Sequence, residues 1–525
     1  MATEQKAEMG FYESLVKKIN NSDEYLIDKR TKNPSPQEYV ALGAVLAKRL
    51  VMNAQGRPVT VSVGGDCRGS TPVLKDAFIQ GLLTQDDVVV LDLGYNLSTP
   101  STEHSRHLGV DATVAITASH QEPDINGLKI TVLDEYYRKP AEEIKSRFSQ
   151  YQEKGKNRYR IKNAYYQEYL KSLEEATEES LEGLLVCVDA MNGAASRVFS
   201  SITRGKGAKV DSIRDYADGD FPSCMKYAPD PSNPTNLKDI CDLVKKHSTD
   251  VKNGQKMIGF AFDGDADRII AVTEEGKAVP PEYLGLVFAK YISDGLAGES
   301  KHKGRDIIME RKLLPVEQAV RDMRLAPVFK DTGRPNIIKA MKENAAPLGY
   351  ELSGHIFTAE WIDDAMKDAL LLTGIVKKSG KTLSALVDEA CSTVEFNVGE
   401  VRFDYNKEKA KEIIQSLMPK QESEGPNTPN QDGLTITPPG KGDLLISNGT
   451  YKLYFRTSSN EDKVSAVPFG GEEAGLRAFV ERTLSNVEDK FKKLVLENFD
   501  ENLKLREELY YQPVSLRNSN QATLN

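Results

Sequence analysis

Short apolar runs alternate with amphipathic stretches along most of the chain, the rhythm of strands and helices stacked in α/β layers. Val59–Val63 and Val88–Leu93 read as strands, and Ala112–Ile116 is short, small and β-branched, as a buried parallel strand should be. Between the first two, Pro72–Leu83 predicts a crossover helix. A charged, Tyr-rich stretch over 134–180 predicts a helix at its end, YYQEYLKSLEEA. A second block opens on the strand Leu184–Asp189 and the glycine turn AMNGAAS, and closes on strands at 258–262 and 269–272. A third begins near Pro281 with the helix EYLGLVFAKYI and carries the strand Asp306–Met309. From about 396 the pattern predicts an antiparallel sheet, VEFNVGEVRFDY and LLISNGTYKLYFR, backed by the helix GGEEAGLRAFVERTLSNV. The Pro-, Gly-, Asn- and Ser-rich segment 419–443 predicts a long loop, and the last fifteen residues a loose polar tail. The expected fold is α/β: similar mixed domains over 1–180, 181–280 and 281–395, and an α+β domain over 396–525. No residue-level repeat accompanies the repeated architecture.

Composition narrows the class. A chain of 525 residues exceeds what one core supports. With 39% hydrophobic and 28% charged residues it is ordinary for a globular protein. A net charge of −9 argues against a general nucleic-acid binder, which needs cationic surface to displace counterions. The five cysteines are scattered without metal-type spacing, as free thiols of a reducing compartment would be. No run approaches the roughly 18–20 apolar residues of a membrane span. The first residues, MATEQKAEMG, lack the apolar core of a secretion signal. A cytoplasmic protein with no nucleic-acid or membrane partner is expected, as monomer or dimer.

Four polar segments carry candidate chemistry. In TASHQEPDINGLK, Ser119 and His120 follow the strand Ala112–Ile116, where open α/β sheets present ligands, and Lys129 adds a cation. In DGDADR, Asp263, Asp265 and Asp267 alternate within one turn, and such carboxylates repel unless a cation sits among them. With Glu274 twelfth, the spacing matches part of a calcium EF-hand loop. That loop needs glycine sixth, where this chain has Arg268, and flanking helices, where this pattern predicts strands. Arg268 is suited to bidentate contact with a phosphate. GYELSGH offers Glu351, Ser353 and His355, an acceptor, a hydroxyl and an imidazole suited to a sugar ring and to proton transfer. RTSSN places Arg456 and Ser458 after the strand Tyr451–Phe455, a cation with donors for a phosphate.

Together the segments resemble the α-D-phosphohexomutase family: TASHQEPDINGLK its phosphoserine loop, DGDADR its metal loop, YELSGH its sugar loop and RTSSN its phosphate loop. They occur in family order over roughly residues 40–470, with VGGDCRGSTP, DAMNGAAS and DGDFP…PDPSNPTN in support. DTGRPNIIKAMKENAAPLGYELSGHIF is most similar to the phosphomannomutase/phosphoglucomutase branch. The resemblance implies four domains around a central cleft, each supplying one loop. It implies that Ser119 carries a phosphoryl group, with Mg²⁺ held by Asp263, Asp265, Asp267 and Ser119. Arg268 would spread charge in the transition state, and His120, Lys129 and His355 would help with positioning and proton transfer. Gly333, Arg334 and Lys339, with Lys312 nearby, would line a specificity loop. Glu351, Ser353 and His355 would grip the sugar, and Arg456 and Ser458 the non-reacting phosphate. The implied reaction interconverts hexose 1-phosphate and hexose 6-phosphate of glucose or mannose, through glucose 1,6-bisphosphate or its analogue as activator and intermediate.

The chain departs from the family pattern at named places. Arg30, in YLIDKRTK, is the nearest counterpart of an early arginine. Gln121-Glu122-Pro123 replaces an Asn-Pro pair after Ser-His, and Tyr350 and Leu352 replace the usual neighbours of Glu351. In the phosphate loop Ser465 stands at the second arginine position, and Lys463 lacks the planar fork of arginine. Three other readings remain open at this point: a phosphoglucosamine mutase, a non-catalytic descendant that binds a sugar phosphate, and a metal-dependent phosphatase.

Overall fold

The computed structural model describes residues 26–133, 151–153, 159–162, 165–248, 256–294, 305–358, 361–417, 434–437, 443–457 and 463–517. They form two compact units, Met1–Gly276 with Ser353–Thr382, and Lys277–Leu352 with Leu383–Asn525.

The first unit holds two sheets. In the first, β1 (Leu26–Lys32), β2 (Val59–Gly65), β3 (Val88–Asp92), β4 (Ala112–Ile116), β5 (Ile125–Val132), β6 (Tyr151–Glu153) and β7 (Tyr159–Lys162) lie in the order β1-β5-β4-β2-β3-β7-β6. Every residue of β2, β3 and β4 is buried, which is why these strands read as predominantly apolar, with Thr60, Ser62, Asp92 and Thr113 buried among them. The helix Pro36–Asn53 starts where Ser35 and Glu38 cap each other reciprocally and Pro36 fits the first turn. With the helix Thr71–Leu82 it covers the sheet through Tyr39, Leu46, Phe78 and Leu82. In the second sheet, β8 (Leu184–Asp189), β9 (Lys209–Ile213), β10 (Lys256–Phe262) and β11 (Ile269–Val272) lie in the order β11-β10-β8-β9. β10 and β11 pair antiparallel, so DGDADR is a hairpin turn between strands, as predicted. The helix Ala365–Ser379, from the segment 353–382, packs on both of these strands.

In the second unit, β12 (Asp306–Glu310), β13 (Ala326–Lys330) and β14 (Leu348–Tyr350) are parallel, in the order β13-β12-β14. β15 (Val401–Asp404), β16 (Thr435–Thr437), β17 (Asp443–Ser447), β18 (Lys452–Thr457) and β19 (Lys463–Phe469) form an antiparallel sheet in the order β15-β19-β18-β17-β16. Three expectations change here. Residues 435–437 inside the predicted loop form β16, while 418–433 and 438–442 lie outside the described residues. The predicted strand end at Phe455 moves to Thr457, so Arg456 is a strand residue. The tail is not loose as far as residue 517: Tyr511 and Leu516 are buried, and Tyr511 N donates to Ala278 O at 2.8 Å. The preceding helix, Asp489–Leu509, buries Phe491, Val495 and Phe499 and ion-pairs Arg506 with Glu282. Among the described residues no helix is long and apolar enough to cross a membrane.

Candidate active site

Ser119 follows β4 and is fully buried in a left-handed backbone conformation, φ 55°. For a residue with a Cβ this conformation is costly and persists only where its surroundings hold it. Arg68 is the holder. Its guanidinium donates to Ser119 O at 2.7 Å, Gln121 O at 2.8 Å and Ile125 O at 3.1 Å. Asp66 anchors it in turn, 3.1 Å from Arg68 Nε, and also accepts from Thr117 Oγ1 at 2.7 Å, while Thr117 Oγ1 accepts from Ser119 N at 2.9 Å. These loop-shaping residues were not singled out from the sequence. Their only signal was the VGGDCRGSTP stretch that carries Arg68.

The hairpin turn between β10 and β11 meets this loop. Ser119 Oγ donates to Asp263 Oδ2 at 2.7 Å, and Asp263 Oδ1 accepts from the amides of Asp267 and Arg268 at 3.0 and 3.2 Å. Contact this close requires glycine at 264, because a Cβ there would lie 2.5 Å from Ser119 O. Lys129, from β5, lies 2.7 Å from Asp265 Oδ2 and also pairs with Asp267. Asp265 further accepts from Thr99 Oγ1 and Thr117 Oγ1.

Charge in this turn is only partly balanced. Burial opposes ionisation of Asp265, but Lys129 and Thr99 outweigh it and hold its carboxyl below the usual range. Burial and the neighbouring carboxylates push Asp263 and Asp267 up instead. The ligand atoms of the three aspartates lie within 4.8 Å of one another, and Asp265 Oδ1 and Asp267 Oδ1 are buried with no hydrogen-bond partner. An all-oxygen set with two such orphaned acceptors fits a hard divalent cation.

His120 Nδ1 lies 3.3 Å from Ser119 Oγ, and His120 Nε2 lies 3.0 Å from the Gln121 side-chain amide. The substituted Gln121 thus steadies the imidazole. Burial and the cations Arg268, Arg30 and Lys129 hold His120 well below its ordinary pKa, in the neutral form. Arg30 lies on β1 opposite Gly127, two residues from the Lys129 register position. Arg268 is buried, and its Nε donates to His355 Nε2 at 3.1 Å. His355 Nδ1 lies 2.9 Å from Asp363 Oδ2 and 3.1 Å from Asp267 O. Burial opposes a charged His355, but Asp267 and Asp363 raise its pKa. Asp363 is a further residue that the sequence pattern did not mark.

The sugar-loop residues divide between the units. Ser353 and His355 belong to the first and Glu351 to the second. Glu351 Oε1 accepts from Gly333 N at 2.6 Å, with Gly333 at φ 125° ahead of the helix Arg334–Asn344. Arg334 is buried at the start of that helix, and Lys339 is exposed farther along it. Lys312 is buried, 3.4 Å from Glu310 and 3.2 Å from Glu400. Glu310 also accepts from Thr332 Oγ1 and Leu352 N, so these carboxylates tie Thr332 and Leu352 to the terminal sheet. Arg456 is half-buried on β18 with Ser465 directly opposite, and Ser458 lies outside the described residues.

Residues 27–155, 164–276 and 280–394 match α/β/α domains I, II and III of phosphoglucomutase/phosphomannomutase. The chain is 31% identical over 432 residues to the phosphomannomutase/phosphoglucomutase of Pseudomonas putida, covering 78% of this chain and 85% of that protein. It is 28% identical to the phosphoglucosamine mutase of Ligilactobacillus salivarius, covering 78% and 89%. A crystal structure of a phosphoglucomutase/phosphomannomutase family protein from Burkholderia thailandensis superposes with TM-score 0.68 at 22% identity, over 93% of this chain and 98% of that one. Three matched domains in succession and the extent of the Pseudomonas likeness place the chain in the phosphoglucomutase/phosphomannomutase family.

Proposed function

We propose that this chain interconverts hexose 1-phosphate and hexose 6-phosphate, of glucose or mannose, with Ser119 as the phosphoryl carrier. The observation that carries the reading is Ser119 Oγ, 2.7 Å from Asp263, in a turn where Asp265 and Asp267 keep unsatisfied buried oxygens. Asp263, Asp265 and Asp267 would hold Mg²⁺, with an oxygen of the group on Ser119 completing the set. When bound, the ion supplies positive charge to the oxygens of the transferring phosphoryl group.

The side chains then have distinct tasks. Phosphoserine gives its phosphoryl to the free hydroxyl of the sugar monophosphate, which yields a hexose 1,6-bisphosphate and restores the Ser119 hydroxyl. The sugar hydroxyl loses its proton as the new P–O bond forms. Neutral His120 stands beside Ser119 as the acceptor for it, and Lys129 positions the aspartates by its charge. In the second half-reaction Ser119 takes the phosphoryl from the other end of the bisphosphate, and the isomerised monophosphate leaves. Arg268, steered by His355, meets the phosphoryl oxygens with a planar fork. In the second unit Glu351 is suited to sugar hydroxyls and Arg456 to the phosphate that does not react.

Intact-mass analysis of the purified protein tests the carrier directly. An increment of about 80 Da mapping to Ser119, the mass of one phosphoryl group, is expected. Turnover is expected to vanish on chelation and return with Mg²⁺. Glucose, mannose and glucosamine 1-phosphates assayed side by side fix the substrate, the last because relatives include phosphoglucosamine mutases. Net release of inorganic phosphate without isomerised sugar would select a phosphatase instead.

A further inference from the structure

The stretches DAMNGAAS and DGDFP hold no residue of the candidate site, yet the structure packs both against it. Arg68, which holds the Ser119 loop, is the point of contact. Its side chain is fully buried and every N–H of its guanidinium is taken: Nε by Asp66, Nη1 by Glu122 O and Ile125 O, and Nη2 by Ser119 O and Gln121 O. With its edge saturated, only the two flat faces of the group remain for packing. Phe221, from DGDFP, takes one of them, with its ring centroid 4.9 Å from Arg68 Cζ. A guanidinium over an aromatic face is attracted by the ring quadrupole, the more so where water is excluded.

The turn over 218–221 is built for this approach. A Cβ on Gly219 would lie 2.4 Å from Cys67 O and 2.7 Å from Arg68 Cα, so only glycine lets the two segments meet. Phe221 is itself fully buried at φ 46°, a left-handed backbone that a bulky residue adopts only where its surroundings impose it. Its amide donates to Asp218 O at 3.0 Å and closes the turn.

DAMNGAAS carries the contact on to the acidic hairpin. Asn192 O accepts from Asp218 N at 2.8 Å and from Cys67 Sγ at 3.5 Å. Two residues on, Ala194 N donates to Gly264 O at 2.9 Å, and a Cβ on Gly193 would lie 2.7 Å from that oxygen. Gly264 packs on Ser119 O, which closes the ring. Ser119 follows a strand of the first sheet and Asp263 a strand of the second, so their 2.7 Å contact depends on what joins the two sheets.

We propose that Phe221 is a positioning residue for the phosphoryl carrier: stacked on Arg68, it fixes the plane of the guanidinium that holds the Ser119 loop against the aspartate turn. The proposal rests on the mutase reading of Ser119 and deepens it by giving the DGDFP segment a part in the transfer step.

The test compares wild type, F221L and F221Y by hydrogen exchange and by turnover of whichever sugar phosphate the wild type isomerises. F221L keeps apolar bulk without the aromatic face. It is expected to speed exchange over residues 118–125 while β8 and β10 keep wild-type protection. Misplacing a reacting group costs up to about 100-fold in rate, so kcat should fall roughly 10- to 100-fold. KM should stay within about threefold, because the loop places the carrier and does not bind the sugar. F221Y, which keeps the face, should recover most of both losses. Exchange and kcat of F221L within about twofold of wild type overturn the proposal, and so do equal losses in F221L and F221Y, which assign Phe221 to packing alone. One measurement needs no variant. In native-state exchange of the wild type under increasing denaturant, the amides of Gln121 and Phe221 should open along one curve, since Arg68 couples their loops, and separate curves overturn the proposal. If the wild type isomerises no sugar phosphate, the mutase reading falls, and exchange over 118–125 still decides whether Phe221 holds the Ser119 loop.

Discussion

Around Ser119 the charged side chains are deeply buried and interlocked, Lys129 with two aspartates, Arg68 with Asp66 and four carbonyls, Arg268 with His355. Around Arg456 the register sets cations along one row of a sheet, Arg456 half-buried and Arg402 exposed, spaced by strand separation. A buried cluster needs its charges preorganised, because in low dielectric each unpaired charge costs several kcal/mol. Charges held near the surface carry no such requirement. The difference also bears on sequence: the aspartate loop keeps the pattern of the family that it resembles, the Ser119 loop departs from it only at Gln121 and Glu122, and the more exposed row holds Ser465 where that pattern has an arginine.

Experiments that separate the two regions run from large effects to small. S119A removes the carrier itself, and turnover is expected to fall on the order of 10⁴-fold or more with the melting curve preserved. Substantial turnover in S119A would end the comparison at its first step. R68M leaves Asp66 buried without its cation and releases the carbonyls of the Ser119 loop. A loss of about 3–5 kcal/mol is expected in denaturant titration, with turnover reduced as well, since Arg68 holds the loop rather than touching substrate. K312M probes the second unit, where buried Glu310 and half-buried Glu400 would lose their shared partner, and about 3 kcal/mol is expected.

The pH dependence of that last effect has a definite sign. Against burial, Glu310 and Glu400 raise the pKa of Lys312, and Lys312 with Ser465 lowers that of Glu400. Stabilisation from Glu400 is present above the ordinary glutamate value of about 4.3 and is lost as pH falls through the folded value. That from Lys312 is fully present below about 10.4 and is lost as pH rises through its own raised folded value. The gap between wild type and K312M is therefore expected to be flat across neutral pH and to shrink in acid. A gap that widens in acid would show the group is not held by these ion pairs.

Much of the first unit was legible in the chain. Runs such as Ala112–Ile116 and Leu184–Asp189 read directly as strands because a strand buried on both faces is predominantly apolar and rich in β-branched residues. DGDADR read as a turn between two apolar runs, and its triple carboxylate marked a cation site without reference to any distant residue. Less was legible in the terminal domain. Tyr511 and Leu516 sit in a polar tail, and nothing local shows that Ala278 and Asp388 receive Tyr511.

By itself the sequence determined the α/β alternation, the Ser-His pair after β4, the acidic hairpin and the family, because periodicity and short motifs are local properties. Tertiary structure alone decided that Arg68 clamps the Ser119 loop, that Asp363 orients His355, and that Glu351 serves the second unit while His355 serves the first. It alone set Arg402 and Arg456 on either side of Ser465. Each of these is a pairing across strands or between segments far apart in the chain, and such pairings follow from register and packing, which no local pattern of residues encodes.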